Sequence, residues 1–134
     1  MYSKDSFTVE LTEQVKKLGL YPGKENIDSF VDYITNSFDI NDKLVIKYYD
    51  VPQSKSNGCY IDYKKEMRLY GRVSLITFLH EIRHYIQFNT PMKTFFKTYN
   101  EREVEARGWS SSLFYSVFEE DYLRLSNEGK IKFI

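Results

Sequence analysis

The first forty residues of the chain carry hydrophobic side chains at helical spacing. This spacing predicts one helix over Phe7–Leu20 and a second over Asn26–Phe38. Gly19, Pro22 and Gly23 lie between the two stretches and end the first helix. An asparagine at the start of the second stretch is a favoured N-cap. This part of the chain is therefore predicted to form two amphipathic helices.

Alternating, β-branched and aromatic residues in the middle of the chain predict three strands. The strands cover Leu44–Tyr49, Cys59–Tyr63 and Met67–Tyr70, and turn-forming residues occupy Ser54–Gly58. A short turn at Lys64–Glu66 would join the second and third strands as an antiparallel hairpin. We expect a small, mostly antiparallel sheet. Its third strand, Met67–Tyr70, is the candidate edge strand that could bind an extended peptide by β-augmentation. The alternative is an ordinary strand within the sheet.

Helical spacing returns after Val73 and predicts a third helix that stops near Asn89–Pro91. A last long helix is predicted from Asn100 to about Leu125. Two helices, three contiguous strands and two further helices give an α+β architecture. The length is that of a single domain, which we take as residues 1–134.

The charge and hydrophobicity of the chain indicate which kinds of binding partner to expect. The chain has 134 residues with 19 basic and 19 acidic side chains, so its formal net charge is zero. This balance argues against electrostatic binding to nucleic acid or to an anionic membrane surface. No segment approaches the ~20 apolar residues of a membrane span. Cys59 is the one cysteine, so the chain can form no internal disulfide, which fits a reducing compartment. We expect a cytoplasmic protein with no nucleic-acid or membrane partner.

The two histidines of the chain lie four residues apart in the run His80-Glu81-Ile82-Arg83-His84, on the predicted third helix. Both imidazoles then project from one helix face and can reach a single Zn²⁺ at about 2.0–2.1 Å. Glu81, next to the first histidine, can take a proton from a metal-activated water and pass it to a leaving amine. This is the chemistry of the H-E-x-x-H motif. The alternative is a surface helix on which these side chains are only solvated.

An open catalytic zinc site needs a third protein ligand, and the start of the last helix offers three glutamates. Ala106 and Leu113 mark the expected buried face of that helix. Glu103 lies on the flank of this face, whereas Glu105 points to one side and Glu101 points nearly away. Glu103 is therefore the expected third ligand, with Glu105 and then Glu101 as alternatives.

Glu103 also has ordinary structural roles open to it. It could close a capping box with Asn100 or pair with Arg107 one turn later. Small residues at Ala106 and Gly108 would let the two metal-bearing helices approach closely, although glycine costs about 1 kcal/mol of helix propensity relative to alanine.

With these motifs the chain resembles the minimal gluzincins, which include the ImmA/IrrE-type metallopeptidases of phages and mobile elements and the HtpX-like peptidase cores. In these families one helix carries His-Glu-x-x-His, and a later helix carries Glu-x-x-Ala-(Asp or Asn)-x-aromatic-Ala. The corresponding stretch here is Glu103-Val104-Glu105-Ala106-Arg107-Gly108-Trp109-Ser110. The similarity covers roughly residues 67 to 118.

The resemblance implies that His80, His84 and Glu103 bind one zinc ion and that Glu81 is the general base. It also implies a zincin-like fold in which a C-terminal helix carries the third ligand. The expected activity is hydrolysis of peptide bonds in a polypeptide substrate, and the ImmA/IrrE-type relatives imply one regulatory protein as that substrate. The alternative function is a catalytically weak or inactive zincin-fold protein that acts as a protein-binding module.

Two residues depart from the family pattern. Arg107 takes the place of an acidic or amide residue that supports the site in relatives, so another group would have to orient the histidines. Arg83 is a charge at a position that is usually uncharged. A group that stabilises the carbonyl oxyanion is also expected. Tyr85, Tyr99 and Tyr115 lie closest to the motifs, and the sequence gives no reason to choose among them.

Overall fold

The structure is a computed structural model, and it describes residues 3–51 and 57–131. Within these residues the chain forms five α-helices and three β-strands, which confirms the predicted α+β class. In chain order they are α1 (Ser3–Leu18), α2 (Lys24–Ser37), β1 (Val45–Tyr49), β2 (Gly58–Ile61), β3 (Glu66–Tyr70), α3 (Leu75–Asn89), α4 (Tyr99–Val117) and α5 (Glu119–Asn127). Short 3₁₀ turns cover Asp62–Lys64 and Pro91–Thr94.

The sheet is mixed, with the strand order β1-β3-β2. The predicted hairpin is confirmed because β2 pairs with β3 antiparallel, but β1 pairs with β3 in parallel. The prediction of a mostly antiparallel sheet with Met67–Tyr70 at an edge was therefore wrong, since β3 is the central strand. The alternation of residues indicates which face of a strand is buried, and it carries no information on which strands are neighbours.

The first two helices begin earlier than the hydrophobic spacing predicted. Gly19 follows the last residue of α1 with φ +72°, a left-handed conformation that commonly ends helices and favours glycine. The N-cap of α2 is Gly23, ahead of the predicted Asn26. Most of the turn predicted over Ser54–Gly58 lies outside the described residues.

The helices α3 and α4 both have side-chain caps. Ser74 accepts a hydrogen bond from the backbone N–H of Thr77 at the start of α3. Thr98 and Glu101 form a capping box at the start of α4, which satisfies two backbone donors that the helix itself leaves without partners. The capping role that was open to Glu103 is thus filled by Glu101.

The last helical segment is two helices and not the single helix predicted over Asn100–Leu125. Phe118, with φ −129° and ψ 61°, ends α4 and immediately precedes α5. Glu119, Glu120 and Asp121 occupy the first turn of α5, where the positive end of the helix dipole favours negative side chains. This acidic run is the sequence signal of a new helix start, and the hydrophobic spacing alone did not reveal it.

Helix α3 lies in the centre of the core and packs against both the sheet and α4. Leu75, Phe78, Leu79, Ile82 and Ile86 of this helix are completely buried. An amphipathic helix held on this much of its surface is a rigid support for the polar side chains that project between its apolar ones. Among the described residues, no helix combines the length and the apolar character needed to cross a membrane.

Candidate metal centre

Three side chains from α3 and α4 converge on one point. Nε2 of His80 lies 2.8 Å from Oε2 of Glu103, and Nε2 of His84 lies 3.2 Å from that same oxygen. The two Nε2 atoms are 3.2 Å apart. Within the described part of the chain, these three residues are a group of donors that could hold a metal ion.

The donor set and its spacing suit zinc. Imidazole nitrogen and carboxylate oxygen are common zinc ligands, and ligand atoms about 2.0–2.1 Å from a tetrahedral ion lie about 3.3 Å from one another. The three distances between the donor atoms, 2.8–3.2 Å, are close to that spacing. A set of three protein ligands leaves the fourth tetrahedral position open, as catalytic zinc sites do.

The hydrogen bonds also indicate that a proton or a metal ion lies between these atoms. Nδ1 of His84 lies 2.8 Å from Oε1 of Gln87, so this nitrogen is the donor and Nε2 of the neutral ring carries a lone pair. That lone pair faces Nε2 of His80 and the acceptor-only carboxylate of Glu103, each at 3.2 Å. Acceptors at this distance repel one another unless a proton or a metal ion lies between them.

The site is sheltered and is not a solvated helix surface. Only 8% of His80 and 8% of Glu81 is exposed, so the alternative in which these side chains are merely solvated was wrong. His84 and Glu103 are half-buried at the rim. Low exposure excludes water from the ligand atoms and strengthens the electrostatic interactions among them.

Burial and neighbouring charge set the protonation of the candidate ligands. Burial, and then the charge of His84, lower the pKa of His80, which favours the neutral imidazole that binds metals. Burial alone would raise the pKa of Glu103, but the two histidines and the hydroxyl of Tyr99 lower it further than burial raises it. The carboxylate is therefore ionised at neutral pH.

Glu81 is buried beside the three donor atoms and is not one of them. Burial, followed by the negative charge of Glu103, raises the pKa of Glu81 to about 8. A carboxyl group that titrates near the working pH can both accept and release a proton during a reaction. A cation bound between the donor atoms would lower this pKa and favour the proton-accepting form.

The two alternative glutamates are engaged elsewhere. Glu101 is exposed and caps α4, accepting hydrogen bonds from the backbone N–H groups of Lys97 and Thr98. Glu105 accepts hydrogen bonds from Arg83 and from the side-chain amide of Gln87. Of the three candidates from the sequence, the structure therefore brings Glu103 to the histidines and leaves Glu105 and Glu101 away from them.

Of the two small residues predicted to let α3 and α4 approach closely, only Ala106 is buried, and it is completely inaccessible to solvent. A Cβ atom at Gly108 would meet nothing within 4 Å, so the prediction that Gly108 allows close helix approach was wrong. Arg107 is exposed. Its positive charge contributes to lowering the pKa of His80 and partly offsets the rise in the pKa of Tyr99 that Glu103 causes.

The three candidate tyrosines occupy very different places. Tyr85 is completely buried, and its hydroxyl donates to the backbone carbonyl of Asp42. Tyr115 is half-exposed against the ring of Tyr122. Tyr99 is 68% exposed, and its hydroxyl contributes to lowering the pKa of Glu103. Of the three, only Tyr99 reaches the candidate metal centre.

Strand β2 is the sheet edge that lies next to α3. It packs against this helix, and a Cβ atom added at Gly58 would come within 3.0 Å of Cγ2 of Thr77 in the first turn of α3. Its pairing within the described residues is to β3 alone. An edge strand of this kind can accept a further extended chain through its backbone N–H and C=O groups.

Two groups at the site were not found from the sequence. Gln87 contacts His84 directly. Arg83 is connected to Gln87 through Glu105, which accepts hydrogen bonds from both side chains. The one available signal was the spacing of three residues between His84 and Gln87, which places both on one helix face. The contact of Arg83 with Glu105 depends on how α3 packs against α4, and no local pattern reveals that.

Comparisons of this chain with protein-family models, with curated proteins and with solved structures found no match. The geometry and chemistry of the side chains described above are therefore the basis for assigning a function.

Proposed function

We propose that this protein is a zinc-dependent peptidase of the gluzincin type, with a zincin-like fold. One zinc ion is held by His80, His84 and Glu103, and Glu81 is the general base. The observation that carries this proposal is the convergence of three donor atoms, 2.8–3.2 Å apart, from two separate helices. A buried carboxylate that is not itself a ligand lies beside them, and a purely structural zinc site has no use for such a group.

Each residue then has a definite task. When bound by His80, His84 and Glu103, zinc would supply a Lewis acid for the peptide carbonyl and would lower the pKa of a water molecule toward about 7. Glu81 accepts a proton from the attacking water and delivers it to the amine as the C–N bond breaks and a new carboxyl group forms. Glu103 and the two imidazoles hold the metal, and the hydroxyl of Tyr99 favours the ionised form of Glu103 by lowering its pKa.

The proposed substrate is a polypeptide bound in extended form along the outer edge of β2, on the side away from β3. This edge replaces the one expected at β3, and its proximity to α3 supports it. We infer a cytoplasmic setting, in keeping with the single cysteine of the chain. A single regulatory protein as the natural substrate is part of the same proposal and follows from the resemblance to the minimal gluzincins.

Metal content tests the binding step. Wild-type protein purified and dialysed against trace zinc should hold about one ion per chain, whereas His84→Ala and Glu103→Gln should hold much less. Glu101→Gln is the matched control because it makes the same change two residues earlier on α4, and glutamine also serves in a capping box. Equal zinc content in Glu103→Gln and Glu101→Gln would remove Glu103 from the site. Zinc-free wild-type protein would end the enzyme proposal.

Hydrolysis is tested with a mixture of unstructured peptides in water labelled with heavy oxygen. Mass spectrometry should find new carboxyl termini that carry the label with wild-type protein. These termini should be absent with Glu81→Gln, which should still bind zinc. Labelled products from both proteins would show that another base or a contaminating peptidase is responsible. Zinc binding without cleavage in either protein would favour the second function, a protein-binding module with a structural metal.

A further inference from the structure

Gln87 is a completely buried polar residue in contact with a candidate ligand. It lies on α3 one turn after His84, and its Oε1 is 2.8 Å from Nδ1 of that ring. This nitrogen is on the opposite side of the ring from Nε2, the atom that faces His80 and Glu103. Gln87 therefore contacts the one part of His84 that determines which nitrogen carries the proton.

The orientation of the Gln87 amide follows from its other two contacts. Its Nε2 lies 2.9 Å from the backbone carbonyl of Arg102 and 2.7 Å from Oε1 of Glu105. A carbonyl and an ionised carboxylate are both acceptors, so the NH₂ group must face them and the amide oxygen must face His84. The ring must then donate from Nδ1, which leaves the lone pair of Nε2 available to a metal ion.

Arg83 anchors this arrangement from the other end. Its Nε and Nη2 donate to the carboxylate of Glu105 at 2.8–3.1 Å, and its guanidinium lies 4.7 Å from the ring centre of Trp109. A two-pronged ion pair of this kind fixes the plane of the carboxylate. The contacts run from Arg83 on α3 to Glu105 on α4, and from there back to Gln87 and His84 on α3.

We propose that Gln87 is a positioning residue that sets the tautomer and ring orientation of His84 for metal binding, with Arg83 and Glu105 holding its amide in place. This inference rests on the proposed zinc site. It accounts for the charge inside the His-Glu-x-x-His run, since Arg83 is turned away from the donor atoms and toward Glu105. It also supplies the orienting group that Arg107, which is a cation, cannot provide, because a guanidinium accepts no hydrogen bond from an imidazole N–H.

The test compares three variants of the full chain. Gln87→Met keeps the length of the side chain and removes both the acceptor and the donors. Glu105→Gln keeps an acceptor for Gln87 but loses the ion pair with Arg83. Ile86→Val is the matched control, because it alters the completely buried neighbour of Gln87 on α3 without touching a polar contact.

Two readouts separate positioning from simple destabilisation. Zinc affinity is measured by competition with a chelator on folded protein, and the Nδ1–H proton of His84 is observed by NMR in the zinc-loaded state. Gln87→Met should weaken zinc binding about 10- to 100-fold and should lose the hydrogen-bonded, slowly exchanging ring proton. Glu105→Gln should show a smaller loss of affinity, and Ile86→Val should match wild type in both readouts.

The inference is overturned if Gln87→Met binds zinc within about twofold of Ile86→Val, or if its ring proton is as protected as in wild type. It falls together with the proposed function if wild-type protein binds no zinc. If wild-type protein binds zinc and Gln87→Met binds it equally well, only the positioning role is overturned. The two failures are therefore distinguishable.

Discussion

The guanidinium of Arg83, on α3, forms a two-pronged ion pair with the carboxylate of Glu105, on α4. Only 12% of the arginine side chain and 18% of the glutamate side chain is exposed. Burial raises the pKa of Glu105, but the hydrogen bonds from Arg83 and Gln87 lower it by more. This pair joins the two helices that carry the candidate ligands, so it couples the stability of the fold to the geometry of the site.

Removing Arg83 should therefore destabilise the protein even without metal. In Arg83→Gln the largely buried carboxylate of Glu105 loses its counter-charge, and we expect a loss of about 2 kcal/mol in the free energy of unfolding. Urea denaturation of the metal-free protein measures this. The control is Arg124→Gln, which breaks a pair that is half-exposed on α5 and should cost under about 0.5 kcal/mol. Equal effects of the two variants would contradict a structural role for the Arg83–Glu105 pair.

Metal removal should lower thermal stability in a way that depends on the proposed ligands. Zinc that binds only the folded state at 100 times its dissociation constant adds about 2.7 kcal/mol, which is a shift in Tm of about 10 °C for a domain of this size. A chelator should remove this shift from wild-type protein and from Glu101→Gln. Differential scanning calorimetry should find almost no chelator effect on Glu103→Gln, and a full effect there would exclude Glu103 as a ligand.

Thermal stability should also depend on pH through Glu66. This residue lies on β3, away from the candidate metal centre. Only 5% of this residue is exposed, and its carboxylate pairs with Arg68 and Lys47. The hydrogen bond from Arg68, and then the contact with Lys47, hold the pKa of Glu66 below its usual value. A carboxyl with a depressed folded-state pKa contributes stability above its unfolded pKa of about 4.3, and this contribution is lost as the pH falls through the folded value.

The difference in Tm between wild-type protein and Glu66→Gln should thus be largest at neutral pH and shrink as the pH falls below about 4. Thermal scans across this range provide the measurement. Glu120→Gln, an exposed change on α5, corrects for the altered net charge. A difference in Tm that stays constant from pH 7 to the acid limit of folding would show that the ion pairs of Glu66 contribute no stability.

The features of the candidate site that depend on local sequence pattern could be predicted. His80 and His84 could be placed on one helix face from their spacing, and Glu103 could be preferred over Glu105 from helical phase alone. Both inferences use the 3.6-residue period, which is a property of short segments. The structure places these three side chains together for the reasons that the sequence offered.

What the sequence did not reveal depends on packing between distant segments. The order of the strands places β3 between β1 and β2. Nothing in the sequence Met67–Tyr70 indicates this central position. The contact of Arg83 with Glu105 joins residues 22 positions apart and requires the rotation of α3 against α4. Gln87 acquires its role only once both Glu105 and the carbonyl of Arg102 are in place.

The proposed binding of a peptide along β2 leads to a prediction for hydrogen exchange. A peptide found to be cleaved by wild-type protein should bind to Glu81→Gln without being cut. Backbone pairing with that peptide should then slow amide exchange in β2, because an added strand protects edge N–H groups. Strand β1 is the opposite edge of the same sheet and provides an internal control. Protection of β1 and not of β2 would place the substrate on the other side of the sheet.

Two glycines, one beside α3 and one on α4, should respond oppositely to alanine. A Cβ atom at Gly58 would lie 3.0 Å from Cγ2 of Thr77 and 3.1 Å from the carbonyl oxygen of Arg68. One of these neighbours is backbone and cannot turn aside, so Gly58→Ala should destabilise the protein by about 1–2 kcal/mol. At Gly108 a Cβ atom meets nothing within 4 Å, and Gly108→Ala should stabilise by about 1 kcal/mol through helix propensity.

Urea denaturation of the two variants decides this, and zinc affinity adds a second comparison. Gly108 lies on α4 beyond Glu103 and has no close neighbour, so its alanine variant should bind zinc as wild type does. Gly58→Ala forces β2 away from the first turn of α3, about one helical turn before His80. Peptide cleavage should therefore decline more than zinc affinity, since the sheet edge moves while the ligands stay in place. If Gly58→Ala is as stable and as active as Gly108→Ala, then β2 does not pack closely against α3. Substrate binding along the edge of β2 would then lose its support.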